Sequence, residues 1–462
     1  MCIGLCIRGA CCCCEACCND CCKLLKFKLN ISIRQQMRMA YISLSFCAII
    51  FAVFLKYIAP SSLGFWTVFI HCPEQSGGGL LCLGVSAVYR MSAALALTYL
   101  VLLVACLMRD DCARFLNESF WCLKIFLVLG LFFGFMFVNN SIFQVYAEIS
   151  QYASVAFLLF QIVMLIDIFY LIGEKMKYLY DEGYNIMGPV LIGTALILYS
   201  LTFLFVYYNF QWFPCNQTIN IVNLFLIIVL TALIFTGYFP NGSLITGGFV
   251  SLYLTFQIWS SLNNNENQEC NHFSQLGEGL PFKLQVGFGV FFMTVSLLYI
   301  ALLKYEDLSQ AQNQSQTINV HPNTNPGLFD QNKKDSDDDR DFLERFSDID
   351  DEEDNNNKQQ GVNSYSSLHK QNQKQIRRQK RLRDYQSNYY INFHLIMLFC
   401  SFYSAMLLTN WGAPNLNDMN WTQYKSSDTS RYINLFCSYV SWGIYIWTLI
   451  APKIFPDRDF SR

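Results

Sequence analysis

Residues 150–174, SQYASVAFLLFQIVMLIDIFYLIGE, decide the fold class of this chain. The stretch is long, apolar and aromatic, and its interior carries two polar interruptions, Gln161 and Asp167. An α-helix rises 1.5 Å per residue, so about 22 residues reach roughly 33 Å, enough to cross a bilayer core of about 30 Å. An ionisable group inside such a helix is costly, so we expect Asp167 to face protein, water or a lipid headgroup rather than acyl chains.

The composition of the whole chain also indicates a membrane protein. Of its 462 residues, 53% are hydrophobic and 14% are charged, whereas a soluble domain has about 25% charged residues. Apolar runs of about 20 residues predict ten membrane-spanning helices and therefore an all-α polytopic membrane protein. The predicted spans cover residues 39–58, 81–108, 120–138, 149–172, 188–208, 221–239, 243–262, 284–303, 389–409 and 433–450.

The distribution of Lys and Arg predicts the orientation of these spans. Basic residues are concentrated in the loops on one side, and the opposite loops hold only Lys283, Lys425 and Arg431. By the positive-inside rule both termini are predicted to be cytoplasmic. The first 38 residues lack the apolar core of a cleavable signal peptide, so we expect the first span to direct insertion. The protein is expected in an endomembrane or the plasma membrane.

The expected organisation has five parts. They are a cytoplasmic Cys-rich segment (1–38), helices one to eight (39–304), a cytoplasmic loop (305–388), helices nine and ten (389–451) and a cytoplasmic tail (452–462). The loop is rich in Asn, Gln, Asp and Ser, acidic and then basic, and we expect it to be disordered. Its basic end is expected to lie on anionic lipid rather than to bind nucleic acid.

The ionisable residues inside the predicted spans are the first candidates for function. Arg90 lies near the midplane without an obvious carboxylate at its depth, so a lipid phosphate, backbone carbonyls or water could each satisfy it. Lys124 and Asp167 lie at similar depths in consecutive spans, and we predict that they pair. The pair is either a structural lock or part of a polar strip for headgroups or a small zwitterion. With Gln161, these residues are the candidates for lipid or substrate contact.

Small residues and cysteines give further expectations. Gly130 and Gly134 form a GxxxG pair, expected to serve internal helix packing rather than a dimer face. Ten of the 20 cysteines fall in the first 22 residues. Juxtamembrane cysteines are typical acylation sites; a zinc site or an uncommitted helix apposed to the membrane is the alternative. The acylation candidates are Cys11, Cys12, Cys13, Cys14, Cys17, Cys18, Cys21 and Cys22.

The predicted non-cytoplasmic side permits disulfides and glycosylation. One bridge is expected there, with its connectivity open, among Cys72, Cys82, Cys215 and Cys270. The glycosylation candidates are Asn420 and Asn216. Histidine boxes, nucleophile elbows, P-loops and paired carboxylates are missing from the sequence, so no enzyme activity, cofactor or metal is expected.

Several stretches together resemble the serine incorporator (Serinc/TMS) family of eukaryotic membrane proteins. They are the Cys-rich start and residues 88–96 (VYRMSAALA), 114–134 (RFLNESFWCLKIFLVLGLFFG), 161–174, 241–264, 389–411 and 441–460. The resemblance implies ten helices in two bundles, crossed by a long diagonal fourth helix with lipid in grooves beside it. Gln161 and Asp167 would lie on that dividing helix, with Arg90 and Lys124 on spans near it.

The resemblance implies a role in serine incorporation into phosphatidylserine and sphingolipids, or in phospholipid movement between leaflets. Our first hypothesis is a non-enzymatic lipid-binding protein or scramblase. The second is a carrier or scaffold that delivers serine to lipid-synthesising enzymes. The third is an interaction protein that acts through its cytoplasmic loop. The expected partners are membrane phospholipids, serine, lipid-synthesis enzymes and a second copy of the chain.

Overall fold

The computed structural model describes residues 33–58, 79–107, 117, 120–239, 242–265, 267, 269–273, 279–302, 390–411 and 428–455. These residues are helical apart from turns and short connections, and none of them lies in a strand. The all-α prediction is therefore confirmed. The acylation candidates, the loop 305–388, Cys72 and Asn420 lie outside the described residues, so the expectations on them stay predictions.

Ten helices follow one another along the described part of the chain. They are α1 (Ile33–Tyr57), α2 (Gly79–Leu107), α3 (Trp121–Phe135), α4 (Asn140–Asp181), α5 (Met187–Trp212), α6 (Gln217–Phe235), α7 (Leu244–Asn263), α8 (Leu280–Leu302), α9 (Tyr390–Leu408) and α10 (Asp428–Ile454). A single 3₁₀ turn, Pro214–Asn216, joins α5 to α6.

Eight of these helices are long and apolar enough to cross a membrane, which confirms a polytopic membrane protein. The two exceptions are α3 and α7. Helix α3 has 15 residues, a length of about 22 Å, which is short of the bilayer core. Helix α7 has 20 residues and carries Thr, Ser, Gln and Asn among its apolar residues. The count of ten spans and their arrangement in two bundles remain predictions.

Helix α4 contains the opening stretch and is the longest helix described. It has 42 residues, about 63 Å, or twice the thickness of a bilayer core. The side chain of Asn139 caps its start by accepting a bond from the Ser141 amide at 3.0 Å. Helix α4 begins nine residues before the predicted span. Its first turns were not predicted because polar Gln144 and Glu148 lower their hydropathy.

The chain divides into two compact units. The larger comprises Met1–Leu100, Phe120–Ser309 and Leu395–Arg462, and the smaller comprises Val101–Ser119 and Gln310–His394. In the larger unit α7 packs against α4, α5, α6 and α10, while α4 also packs against α5, α8 and α10. Fourteen of the 20 residues of α7 are buried, so this helix lies at the centre of the group.

In the smaller unit, the described residues include a short polar chain. The Asn117 amide donates to Cys106 Sγ at 2.7 Å, and its Oδ1 lies 2.7 Å from His394 Nε2. All three side chains are buried. These bonds connect the end of α2 to Asn117 and to the start of α9.

Candidate functional site

A polar cavity lies within the larger unit, between α4, α7, α8, α9 and α10. It measures about 400 Å³ with its open mouth included. Its narrow interior has room for one or two water molecules. The polar lining consists of Gln161, Tyr253, Gln257, Ser260, Gln285, Tyr403 and Asn434. No charged side chain is among the residues that line it, so the cavity is polar and electrically neutral.

Three amide atoms of this lining have no hydrogen-bond partner in the structure. They are the Oε1 atoms of Gln161 and Gln257 and the Nδ2 atom of Asn434. These side chains are 2%, 7% and 7% exposed, so bulk water does not satisfy them. A buried polar group without a partner costs about 1–3 kcal/mol. The residues that line the cavity therefore carry two acceptors and one donor that have no partner in the structure.

Hydrogen bonds to neighbouring side chains hold two lining amides, those of Gln257 and Gln285, in place. Gln257 donates through Nε2 to the Tyr253 hydroxyl at 2.8 Å, one turn earlier on α7. Gln285 Oε1 accepts from Asn263 Nδ2 at 2.9 Å, which connects the start of α8 to the end of α7. These bonds leave Gln257 Oε1 as the unpaired end of its amide.

One wall of the cavity is Trp411, which has an uncommon backbone conformation. Asn410 and Trp411 have φ values of 53° and 57°, in the left-handed region that bulky residues seldom adopt. The Trp411 amide donates to Met406 O at 2.8 Å and so ends α9. Its carbonyl accepts from Ser430 Oγ at 2.5 Å and from Gln151 Nε2 at 3.4 Å. Side chains on α10 and α4 therefore hold the backbone of Trp411 in position.

Arg90 is fully buried and does not line this cavity. Its guanidinium donates to Phe135 O at 2.9 Å, Val138 O at 3.1 Å, Asn140 Oδ1 at 2.8 Å and Ser86 O at 3.3 Å, and also to Ser86 Oγ. These bonds engage all five N–H groups of the side chain. Of the three partners considered from sequence, protein carbonyls are the ones found, and we propose no lipid contact for Arg90.

The hydrogen bonds of Arg90 also explain why the short helix α3 can end at Phe135. The last carbonyls of a helix lack partners within it and carry partial negative charge. Arg90 supplies donors and a positive charge at this end of α3. Arg38 donates in the same way to Ile300 O at 2.6 Å near the end of α8. Lys56 donates to Leu408 O at 2.8 Å at the end of α9.

Lys124 and Asp167 are placed apart from the cavity. Lys124 is buried, with Nζ 4.3 Å from the Trp121 ring centroid and 4.8 Å from that of Tyr41. Asp167 is half-buried and follows Gln161 by six residues on α4. The predicted pairing of these two residues stays a prediction. Of the four candidates for lipid or substrate contact, Gln161 alone lines the cavity.

The expected internal packing at Gly130 and Gly134 is wrong. Both glycines are exposed, and a Cβ added at either would meet nothing within 4 Å. The buried residues of α3 are Lys124, Val128 and Phe132, spaced by four and therefore on one face of the helix. The glycines lie on another face, so the GxxxG spacing does not mark a helix contact within the part of the chain that the structure describes.

The cysteine prediction is confirmed in part and extended. Cys215 and Cys270 form a disulfide, and Cys82 is also disulfide-bonded, so more than the one expected bridge exists. The structure disfavours Asn216 as a glycosylation site. Its side chain is 9% exposed and the Nδ2 atom that would carry the glycan is buried.

These features define a polytopic α-helical membrane protein with a neutral polar cavity between its helices. A family model described as serine incorporator (Serinc) matches residues 10–458, nearly the whole chain. The chain therefore belongs to the serine incorporator family, as the resemblance of its motifs predicts.

Individual relatives agree with this assignment at low identity. The chain is 25% identical over 397 residues to a probable serine incorporator of Nematostella vectensis, covering 82% of this chain and 81% of the relative. It is 23% identical over 419 residues to serine incorporator 3 of Bos taurus, with 81% and 80% covered. It is 24% identical over 409 residues to serine incorporator 2 of Homo sapiens, with 82% and 80% covered.

Proposed function

We propose that this protein handles membrane lipids without enzymatic chemistry, by offering the mouth of the cavity beside Gln161 to the polar atoms of phospholipid headgroups and easing their movement between leaflets. Such a role supports phosphatidylserine and sphingolipid metabolism by supplying lipid to the leaflet where it is used. The single observation that carries the proposal is the group of three unpartnered amide atoms of Gln161, Gln257 and Asn434 in one neutral cavity.

The physical argument concerns the barrier to headgroup movement. A polar headgroup crossing the hydrocarbon core loses its hydrogen bonds to water, and each unsatisfied polar group costs several kcal/mol there. Amide and phenol groups on α4, α7 and α10 replace part of that water. Because the lining has no charge, it holds a headgroup without the strong ion pair that would retain it.

Reconstitution in vesicles tests this proposal. Purified full-length protein should accelerate movement of fluorescent phospholipids between leaflets without ATP, compared with empty vesicles. Gln161→Leu should slow this movement severalfold, because the variant removes the unpaired acceptor and leaves no broken bond. Gln144→Leu is the matched control, since Gln144 lies on the same helix and does not line the cavity. No movement above that in empty vesicles would overturn the proposal.

A second candidate function is serine binding for delivery to lipid-synthesising enzymes. The observation that favours it is the pairing of two amide acceptors with one donor, which matches the ammonium and carboxylate groups of a small zwitterion. Labelled serine offered to the same preparation distinguishes the two. Saturable serine binding that Gln161→Leu weakens, without lipid movement, would favour the carrier. Lipid movement without serine binding would favour the lipid handler.

A further inference from the structure

A second polar region lies at the start of α7, away from the cavity. Residues 242–248 read GSLITGG, a glycine-rich turn that leads into a helix. Ser243 is the N-cap residue but makes no side-chain capping bond. The first amides of a helix lack intrahelical acceptors and carry partial positive charge, which makes this end suited to anions. A helix N-terminus alone does not define a site, so other observations must point to a ligand.

Buried hydroxyls without partners supply those observations. Thr246, in the first turn of α7, is 0% exposed and its Oγ1 has no hydrogen-bond partner. Tyr445 of α10 is 1% exposed and its hydroxyl also has none. The Tyr445 oxygen lies 3.2 Å from the position of a Cβ added to Gly247. The unpartnered hydroxyl of Thr246 therefore lies in the first turn of α7, and those of Tyr445 and Tyr199 lie beside Gly247.

A glycine on α4 lets this helix end approach closely. A Cβ at Gly173 would lie 3.1 Å from Ser243 Oγ and 3.8 Å from Thr246 Oγ1. The hydroxyls of Ser243 and Thr246 thus both lie beside Gly173 of α4, which has no side chain to fill the space between them and the helix. Gly242 and Ser243 are only half-buried, so the helix end can be reached from the side that the charge distribution predicts to be cytoplasmic.

The surroundings of this helix end are those of a membrane surface. Exposed Lys453 lies with Nζ 3.3 Å from the ring centroid of Tyr238, five residues before Ser243. Exposed Lys175 lies two residues after Gly173 and 5.3 Å from the Tyr178 ring. Lys, Arg and Tyr residues are typical of the headgroup level. The exposed carboxylate of Glu174 is the opposing charge.

We infer that the N-terminus of α7, with Ser243 and Thr246, binds a phosphate group. The amides of the first turn and the hydroxyls of Ser243 and Thr246 supply donors to phosphate oxygens. Exposed Lys453 and Lys175 add positive charge on the same predicted side of the membrane. The phosphate belongs either to a phospholipid of the adjacent leaflet or to a soluble phosphate compound. Binding here does not depend on lipid translocation, so this inference stands or falls separately from the proposed function.

Native mass spectrometry of the purified full chain tests the inference. Phosphatidic acid should be retained, whereas diacylglycerol, which has the same tails without a phosphate, should not. Thr246→Val should weaken retention of phosphatidic acid roughly tenfold, because the hydroxyl bond is to a charged group. Thr202→Val is the matched control, since Thr202 is equally buried and its hydroxyl bonds Leu198 O within its own helix.

A second variant keeps the test independent of folding defects. Ser243→Asp should keep or raise thermal stability, because aspartate is a good N-cap, yet abolish retention of phosphatidic acid by repelling the phosphate. Displacement of the lipid by excess inorganic phosphate would identify soluble phosphates as ligands. Failure of that displacement would identify the lipid headgroup. Equal retention of phosphatidic acid and diacylglycerol, or wild-type retention by both variants, would overturn the inference.

Discussion

For Arg90, the sequence predicts that a buried positive charge needs compensation but does not identify the groups that provide it. The sequence shows a cation at midplane depth, which requires compensation. It does not show that α3 ends at Phe135, because the hydropathy of residues 120–138 is continuous. The carbonyls that satisfy Arg90 come from that early helix end. Carbonyl oxygens at this helix end, rather than a carboxylate, therefore compensate the charge of Arg90.

Replacement of Arg90 should be strongly destabilising. Arg90→Lys keeps the charge but has three donors on one nitrogen, so at least two of the five acceptors around Arg90 lose their bonds. We expect a loss of about 3 kcal/mol or more in stability, measured by thermal unfolding in detergent. Exposed Lys283→Met should stay within about 0.5 kcal/mol of wild type. Equal unfolding temperatures for Arg90→Lys and wild type would contradict this role.

The effect of replacing a glycine by alanine depends on what surrounds that glycine, not on whether it belongs to a GxxxG pair. A Cβ at Gly247 would lie 2.7 Å from the Tyr199 hydroxyl, so Gly247→Ala should cost about 1–3 kcal/mol through overpacking. Gly130→Ala faces open space and should be neutral or up to about 1 kcal/mol stabilising, because alanine favours the helix. Thermal unfolding of both variants checks the contrast, and a reversed order would refute it.

At the scale of elements, the apolar central segments of the helices could be predicted from the sequence, whereas their polar turns and polar lining residues could not. The central segments of the helices follow from runs of apolar residues, since backbone polar groups in lipid must bond internally. The first turns of α4 escaped prediction because they are polar. The cavity was not predicted, because charge marked most of the candidate residues, whereas Gln257, Gln285 and Asn434 are neutral. Amide residues recurring in apolar spans are the signal that could have found it.

The Cys215–Cys270 disulfide joins the connection between α5 and α6 to the segment after α7. Because it closes a loop across a sequence separation of 55, Cys215→Ser should lower stability by about 2–4 kcal/mol. Cys270→Ser and the double variant should cost about the same as the single change, since all three remove one bond. Exposed, free Cys47→Ser is the control. Additive losses in thermal unfolding would show that the two cysteines act separately.

At the scale of the molecule, α4 and α7 play different parts. Helix α4 is the long fourth helix that the family resemblance implies, and it contributes Gln161 to the cavity. Helix α7 has fewer apolar residues than a free-standing span, and its neighbours α4, α5, α6 and α10 cover it. Its polar groups line the cavity near its end and form the uncapped turn at its start. The sequence predicted the first role but gave no sign of the second.

The most direct test of the account is the rate of ATP-independent phospholipid movement in vesicles containing the double variant Gln161→Leu, Gln257→Leu. Both side chains line one cavity and each carries an unpaired acceptor, so their joint loss should bring the rate close to that of empty vesicles. Loss of the Gln257–Tyr253 hydrogen bond should lower the unfolding temperature only modestly. A double variant that moves phospholipid at the wild-type rate would contradict a role for this cavity in headgroup handling.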